Sequence, residues 1–570
     1  MKKLINDPRQ VVREMLEGIV ALHPGLALLA EYDVVLRSDT PGPAQRKVAV
    51  ISGGGAGHEP AHAGYVGRGM LHAAVSGDVF TSPSVDAVLA AIHAVAGPAG
   101  AVLIVKNYTG DRLNFGLAAE LARAGGIPTE IVVVADDVAL RDTVPEERRR
   151  GIAGTVLIHK IVGALAEAGE DLQRVAAAGR AAAAVTGTMG VALGACTIPA
   201  AGTPGFSLGA DEIELGLGIH GEAGIARQKI APADAITDRL LDTILADRGC
   251  AAGTPVALLI NNLGGTTTME LAVVARRALA RLRERGLVVR RAWAGTLLSA
   301  LEMPGCSLSV MALDDARLAL LDEPTQAPAW AGPGIVPTSA TIVSAGEPPP
   351  ESEAVVSADA LGEAVRHAAL AAAVALEAAE PLLTELDSRA GDGDLGISMR
   401  RAADAIRASC AASHSADAAS VLALLAGALR RAIGGSSGPF YAVGLLRAAR
   451  QLVMEAESDL KSWSAAFSAG VAAVSELGGA KGGDRTMLDA LLPAAEALAA
   501  AARRDLTASA AWAEAAEAAR IGAEATAGMK PRLGRASYLG DRALGAPDGG
   551  AVAVSVWLGA IAGRSAPRVE

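Results

Sequence analysis

The chain has 570 residues, more than a single hydrophobic core usually serves, since cores stop growing at roughly 250–300 residues and longer chains divide. It is 51% hydrophobic but only 3% aromatic, so small aliphatic side chains must fill its interiors. Its 51 Lys and Arg against 62 Asp and Glu give a formal charge of −11, which excludes the basic footprint of nucleic-acid or anionic-membrane binding.

The N-terminal Lys2 and Lys3 are followed by a charged stretch from Asn6 to Glu17 where a signal peptide needs an apolar one. The Ala-rich runs elsewhere meet charges or glycines before reaching the ~18 residues of a membrane span, so a cytoplasmic protein with small-molecule partners is expected. Cys196, Cys250, Cys306 and Cys410 are too scattered for a zinc or redox pair and read as buried thiols.

Short β-branched runs alternate with helical stretches over the first 330 or so residues, the pattern of a parallel-sheet α/β unit. Lys47–Ile51, Ala101–Val105 and Glu130–Val134 are predicted strands. A second series, Val256–Ile260, Leu287–Arg291 and Leu308–Ala312, follows a glycine-rich region and predicts a second lobe. Residues 333–356 are rich in Pro and Gly and form the expected linker between residues 1–332 and 357–570. Beyond it, Leu361, Val365, Ala368, Ala372, Leu376, Ala379, Leu383 and Leu386 fall at helical spacing, with a kink expected at Pro381. Further stripes at Ala418, Val421, Leu425 and Leu429, and at Leu488, Leu491, Leu492 and Leu498, predict a helical bundle with its motifs on loops at one end.

The segment Ser52-Gly53-Gly54-Gly55-Ala56-Gly57-His58-Glu59-Pro60 is expected as a loop following a strand, where open α/β sheets place ligands. A dinucleotide fingerprint begun at Gly53 and Gly55 would need its third glycine where His58 stands. Clustered glycines let the backbone approach a small ligand, and a histidine among them exchanges protons near neutral pH. Lys106-Asn107-Tyr108-Thr109-Gly110-Asp111 brings polar side chains to the end of another strand, although Lys106 and Asp111 taken singly read more readily as a structural ion pair than as catalytic groups. Gly216 to Gly224 brackets His220 with glycines. Together the three segments describe a small polar pocket.

In the helical part, Asp387, Asp392 and Asp394 lie within eight residues and must be protonated or neutralised by a cation. Oxygen ligands favour magnesium. An EF-hand is disfavoured because Leu395, Ile397 and Met399 stand where further ligands belong, and a solvated acidic turn is the remaining alternative. The turn Gly434-Gly435-Ser436-Ser437-Gly438-Pro439 offers free amides at a helix start for phosphate oxygens, or serves as a simple connection. The sequence has no Walker A motif and no protein-kinase catalytic loop.

Seven motifs stand in one order: SGGGAGHEPAH from Ser52, KNYTGD from Lys106, GIHGE from Gly218, GDGD from Gly391, GGSSGP from Gly434, GDRTMLDAL from Gly483 and GRASYLG from Gly534. In this the chain resembles, over essentially its whole length, the single-chain ATP-dependent dihydroxyacetone kinases. The resemblance implies an α/β two-lobed ketose-binding domain with parallel sheets, followed by an all-α helical-barrel nucleotide-binding domain. It implies a ketose and ATP with Mg2+ as ligands, and a domain-swapped homodimer in which one subunit's nucleotide domain caps its partner's ketose domain. By the same resemblance His220 forms a hemiaminal with the substrate carbonyl, while His58 and Asp111 bind and deprotonate the attacking hydroxyl. Gly54, Gly55, Ala56, Gly57 and Lys106 line that pocket. Asp387, Asp392 and Asp394 hold magnesium; Leu395, Gly396, Ile397, Ser398, Gly435, Ser436, Ser437, Gly478, Met487, Arg535, Asp548, Gly549 and Gly550 surround the nucleotide. Leu395, Ala223 and Gly549 depart from the residues common in the family, at positions bordering the sites. A four-carbon ketose such as erythrulose fits the same chemistry. A lyase releasing cyclic FMN from FAD, or a ketose sensor without catalysis, are the other readings.

Overall fold

In the computed structural model, residues 2–346, 360–412, 417–455 and 459–563 are described, so the later part of the expected linker lies outside them. The chain divides into two compact units, Met1–Val343 and Ser344–Glu570.

The first unit carries two six-stranded sheets. One contains β1 (Leu26–Leu28), β2 (Val34–Arg37), β3 (Ala49–Ala56), β4 (Ala73–Val79), β5 (Ala101–Lys106) and β6 (Thr129–Val134), in the order β1-β2-β4-β3-β5-β6. The other contains β7 (Thr186–Ala192), β8 (Glu212–Leu215), β9 (Ala226–Lys229), β10 (Pro255–Asn262), β11 (Val288–Gly295) and β12 (Gly305–Ala312), in the order β11-β10-β12-β7-β8-β9. Its helices are α1 (Val11–Leu22), α2 (Val85–Val95), α3 (Thr109–Ala124), α4 (Thr155–Ala168), α5 (Leu172–Ala184), α6 (Ala233–Arg248), α7 (Thr268–Glu284) and α8 (Asp315–Asp322).

The centre of the first sheet is parallel as expected: β3 pairs in parallel with β4 and β5, and β5 with β6. Helices α2 and α3 cover one face and α1, α4 and α5 the other, so both faces are dry and the strands are continuously apolar. The second sheet differs. Only β10 and β11 run in parallel, while β12 is antiparallel to both β10 and β7. An apolar run such as Leu308–Ala312 is buried equally well beside a neighbour of either direction, so its composition does not encode orientation. The glycine segment also differs from its expected loop. Ser52 to Ala56 belong to β3, with Gly53, Gly54 and Gly55 in register with Val75, Ser76 and Gly77 of β4.

The second unit contains α9 (Ala360–Ala378), α10 (Glu380–Ala390), α11 (Leu395–Ala412), α12 (Ala418–Ala432), α13 (Ser437–Met454), α14 (Leu460–Gly478), α15 (Leu488–Arg503), α16 (Ala508–Ala525) and α17 (Gly549–Ile561). Pro381 starts a helix rather than kinking one: the chain breaks at Ala379 and Pro381 sits in the first turn of α10, where its missing N–H is not needed. Packing neighbours run α9-α11-α12-α13-α14-α15-α16-α17 and return from α17 to α9, closing a ring of eight helices. Alanines dominate its seams, and the axis retains an apolar cavity of about 520 Å³ bordered by Leu425, Phe440, Trp463 and Trp557. No helix among the described residues is long and apolar enough to cross a membrane. The cysteines are free; Cys196, Cys306 and Cys410 are buried and Cys250 half-buried.

Candidate active site

The two sheets of the first unit bring His58 and His220 together. His58 follows β3, is fully buried, and its Nδ1 lies 2.8 Å from the Ser299 carbonyl in the connection between β11 and β12. A carbonyl only accepts, so this nitrogen carries the proton. His220 follows β8 and is half-buried, with Nε2 3.1 Å from Nε2 of His58. Burial, together with the charge on Lys106 and the neighbouring His220, pushes His58 well below its ordinary pKa.

Gly221, at φ +83°, turns the chain so that Glu222 folds back on His220. Glu222 Oε2 accepts from the His220 backbone N–H at 2.9 Å, and Oε1 lies 2.9 Å from Nδ1. Burial opposes the Glu222 charge, but the His220 ring and backbone donors outweigh it and hold the carboxyl at about 2. Three aromatic contacts frame the pair. Phe80 stacks on His58 at 5.1 Å and meets His220 edge-on at 5.2 Å, and Tyr108 meets His220 at 4.6 Å.

Lys106 ends β5 and Asp111 lies in the first turn of α3, both buried. Gly54 has φ +152°, and a Cβ added there would lie 3.1 Å from Lys106 Nζ and 3.5 Å from Asp111 Oδ2. The three groups therefore converge on one small space. Among the described residues Lys106 Nζ has no hydrogen-bond partner and makes no ion pair with Asp111, which instead accepts from Ser82 Oγ. Burial lowers the Lys106 pKa, against the opposing charges of Asp111, Glu222 and Glu59. Gly55 and Gly57 pack their backbones against Phe80, and Ala56 is buried beside them.

In the second unit Asp387, Asp392 and Asp394 offer oxygens within 4.8 Å of one another. Asp387 closes α10, and its Oδ2 accepts the backbone N–H of Asp394 at 2.9 Å and of Leu395 at 3.2 Å, which folds the acidic turn onto the start of α11. Hard oxygen donors in this number suit a magnesium ion that keeps coordination positions for phosphates.

The expected nucleotide residues mark helix starts. Leu395, Gly396, Ile397 and Ser398 form the first turn of α11, Ser436 and Ser437 begin α13 after Gly435, Met487 caps α15, and Asp548 caps α17 ahead of Gly549 and Gly550. A Cβ on Gly549 would lie 2.8 Å from Leu395 Cδ2, and one on Gly550 would lie 3.6 Å from Met487 Cβ. Tyr441 of α13 is pushed up to about 12 by burial and by the charge of Asp548. The starts of α11, α13, α15 and α17 thus gather at one end of the ring, beside the acidic turn. Gly478 ends α14 against the Phe440 ring. Arg535 opens the segment Arg535–Ala543, and its side chain lies outside the described residues.

Several contributors were not singled out in the sequence. Glu222 stands within the GIHGE motif, two residues past His220, and that spacing was its signal. Phe80 holds φ +60°, which nothing in its neighbours announces. Arg485, inside GDRTMLDAL, is buried and donates to the carbonyls of Thr526, Ala543 and Ala546, clasping both ends of the segment that carries Arg535.

A two-lobed α/β unit with paired histidines, followed by a helical ring with an acidic turn, is the architecture of an ATP-dependent ketose kinase. Residues 17–329 match the Dak1 domain and residues 389–563 the DAK2 domain. The chain is 44% identical over 571 residues to Triokinase/FMN cyclase of Homo sapiens, covering 98% of both, and 37% identical over 569 residues to D-erythrulose kinase of Mycolicibacterium smegmatis, covering 98% and 97%. The crystal structure of the dihydroxyacetone kinase from C. freundii in complex with AMP-PNP and Mg2+ aligns with a TM-score of 0.63 at 35% identity, covering 99% of each chain. The chain belongs to the single-chain dihydroxyacetone kinase family, whose members are ATP-dependent ketose kinases.

Proposed function

We propose that this chain transfers the γ-phosphoryl group of Mg-ATP to a terminal hydroxyl of dihydroxyacetone, with the ketose carbonyl carbon bound to His220 Nε2. The observation that carries the reading is the His220 imidazole, anchored through Nδ1 by Glu222 and facing His58 through Nε2, beside the space shared by Gly54, Lys106 and Asp111. A carbonyl adduct selects ketoses over polyols such as glycerol, and it fixes the acceptor hydroxyl for attack. His58 and Asp111 are the groups that accept the proton of that hydroxyl, and Lys106 Nζ is the donor left free for substrate oxygen.

Asp387, Asp392 and Asp394 would hold the magnesium, which when bound neutralises phosphate charge. The gathered starts of α11, α13, α15 and α17 bring the positive ends of their helix dipoles to one end of the ring, an arrangement suited to phosphate oxygens. Transfer requires the two sites to meet, and the family resemblance implies that they do so across a homodimer of a cytoplasmic enzyme.

A four-carbon ketose is the second reading, favoured by the similarity to D-erythrulose kinase. FAD cyclisation needs the nucleotide site alone, and the similarity to Triokinase/FMN cyclase supports it as an added activity. Steady-state kinetics on dihydroxyacetone and both erythrulose enantiomers, in the wild type and in His220→Ala, test the proposal. The highest kcat/KM is expected on dihydroxyacetone, with loss of ketose phosphorylation and retention of any FAD cyclisation in the variant. Full ketose kinase activity in His220→Ala would refute the covalent reading.

A further inference from the structure

We propose that Glu222 is a positioning residue for the carbonyl chemistry, and that it is the counter-ion of a His58–His220 pair that shares one proton in the resting site. The inference rests on the covalent reading above. It starts from two anchored nitrogens. Ser299 O fixes the proton of His58 on Nδ1, and the Glu222 carboxylate fixes that of His220 on its Nδ1. Each neutral ring then presents a bare lone pair at Nε2. Two bare lone pairs facing at 3.1 Å repel, so the contact requires one proton between them.

The charge on the pair has to be held against its surroundings. Burial and Lys106 on β5 oppose a positive charge on His58, while the carboxyls of Asp111 on α3, Glu59 beyond β3 and Glu222 face Lys106 and offset its charge. Arg150 is already committed to Asp137 and to the Gly216 carbonyl. Glu222 is the carboxylate that reaches the pair by a hydrogen bond.

The single proton balances the addition. His220 Nε2 donates its lone pair to the carbonyl carbon, the π pair moves to oxygen, and the shared proton passes from His58 Nε2 to that oxygen. The positive charge moves onto the substituted His220 ring, whose Nδ1–H still faces Glu222. No proton is taken from solvent or released to it. His58 is left with a free Nε2, the state required to accept the proton of the hydroxyl to be phosphorylated.

Glu222→Gln removes the charge and one of the two acceptors, because an amide NH2 must then face either the His220 backbone N–H or Nδ1–H. With dihydroxyacetone labelled with 13C at the carbonyl, full-length wild type should show a tetrahedral carbon. Glu222→Gln should form the adduct roughly 10- to 100-fold more weakly, the range for losing a charged hydrogen bond, and Glu222→Asp should recover part of it. In 15N spectra the His220 proton should leave Nδ1 in the Gln variant alone. Independently of any variant, the wild-type heat of ketose binding near pH 7 should not depend on the buffer's ionisation enthalpy. Wild-type adduct affinity in Glu222→Gln, or buffer-dependent heat equal to one proton, would overturn the proposal. Absence of a tetrahedral carbon in the wild type would instead refute the covalent reading, and this proposal with it.

Discussion

Asp394→Asn should reverse its effect on stability when magnesium is added. The three carboxylates of the acidic turn offer oxygens within 4.8 Å of one another. Two unit charges at that distance repel by about 0.9 kcal/mol in water, and salt at physiological strength roughly halves this. Removing one charge cancels two of the three pairs, a relief of about 1 kcal/mol at the dielectric of water that suits this exposed turn. Asn caps a helix about as well as Asp, so the start of α11 is not otherwise weakened. In chelator the variant's helical unit should therefore melt roughly 2–4 °C above the wild type. With Mg2+ and a non-hydrolysable ATP analogue the order should invert, because the wild type gains binding energy that the variant lacks. Differential scanning fluorimetry under both conditions measures the crossing. The same order under both conditions, or a wild type that Mg2+ with the analogue does not stabilise, would refute the shared metal site.

Gly54→Ala should lower kcat/KM for the ketose at least tenfold, since its Cβ would enter the space beside Lys106 and Asp111 at φ +152°, while nucleotide binding by calorimetry stays unchanged. Burial raises Asp548 to about 6, so the folded helical unit binds that proton more tightly than the unfolded chain and loses stability as pH rises from about 4 to 6. Asp548→Asn keeps the cap to Ala551 and should flatten that slope by at most about 3 kcal/mol, read from denaturant melts across this pH range. Cutting the chain between Gly346 and Glu353 should yield two soluble pieces, the second binding Mg-ATP by itself; aggregation, or no binding by that piece, would disprove the boundary.

The helices of the second unit were legible because their apolar stripes and caps are local, and the acidic turn because three carboxylates in eight residues have few uses. The strand runs were legible as well, but strand direction was not: Leu308–Ala312 is equally apolar beside parallel or antiparallel neighbours. Gly53 to Gly55 suggested a loop because glycine is a poor strand former in isolation, whereas pairing with β4 decides the matter here. The paired histidines were each visible from their flanking glycines. Their shared geometry was not, because Ser299 and Phe80 reach His58 from distant parts of the sequence and Phe80 does so from a left-handed backbone.

Closure of the helical ring through α17 and α9 makes the position of the chain break a matter of connection rather than of architecture. The ends of the ring lie on adjacent helices, so joining them and opening any other loop preserves every seam. A circular permutant opened in the turn between α15 and α16, far in the sequence from the acidic turn and the gathered helix starts, keeps the nucleotide site intact. Deleting α17 does the opposite: it strips an apolar face from both α9 and α16 and removes the cap at Asp548 in the same stroke.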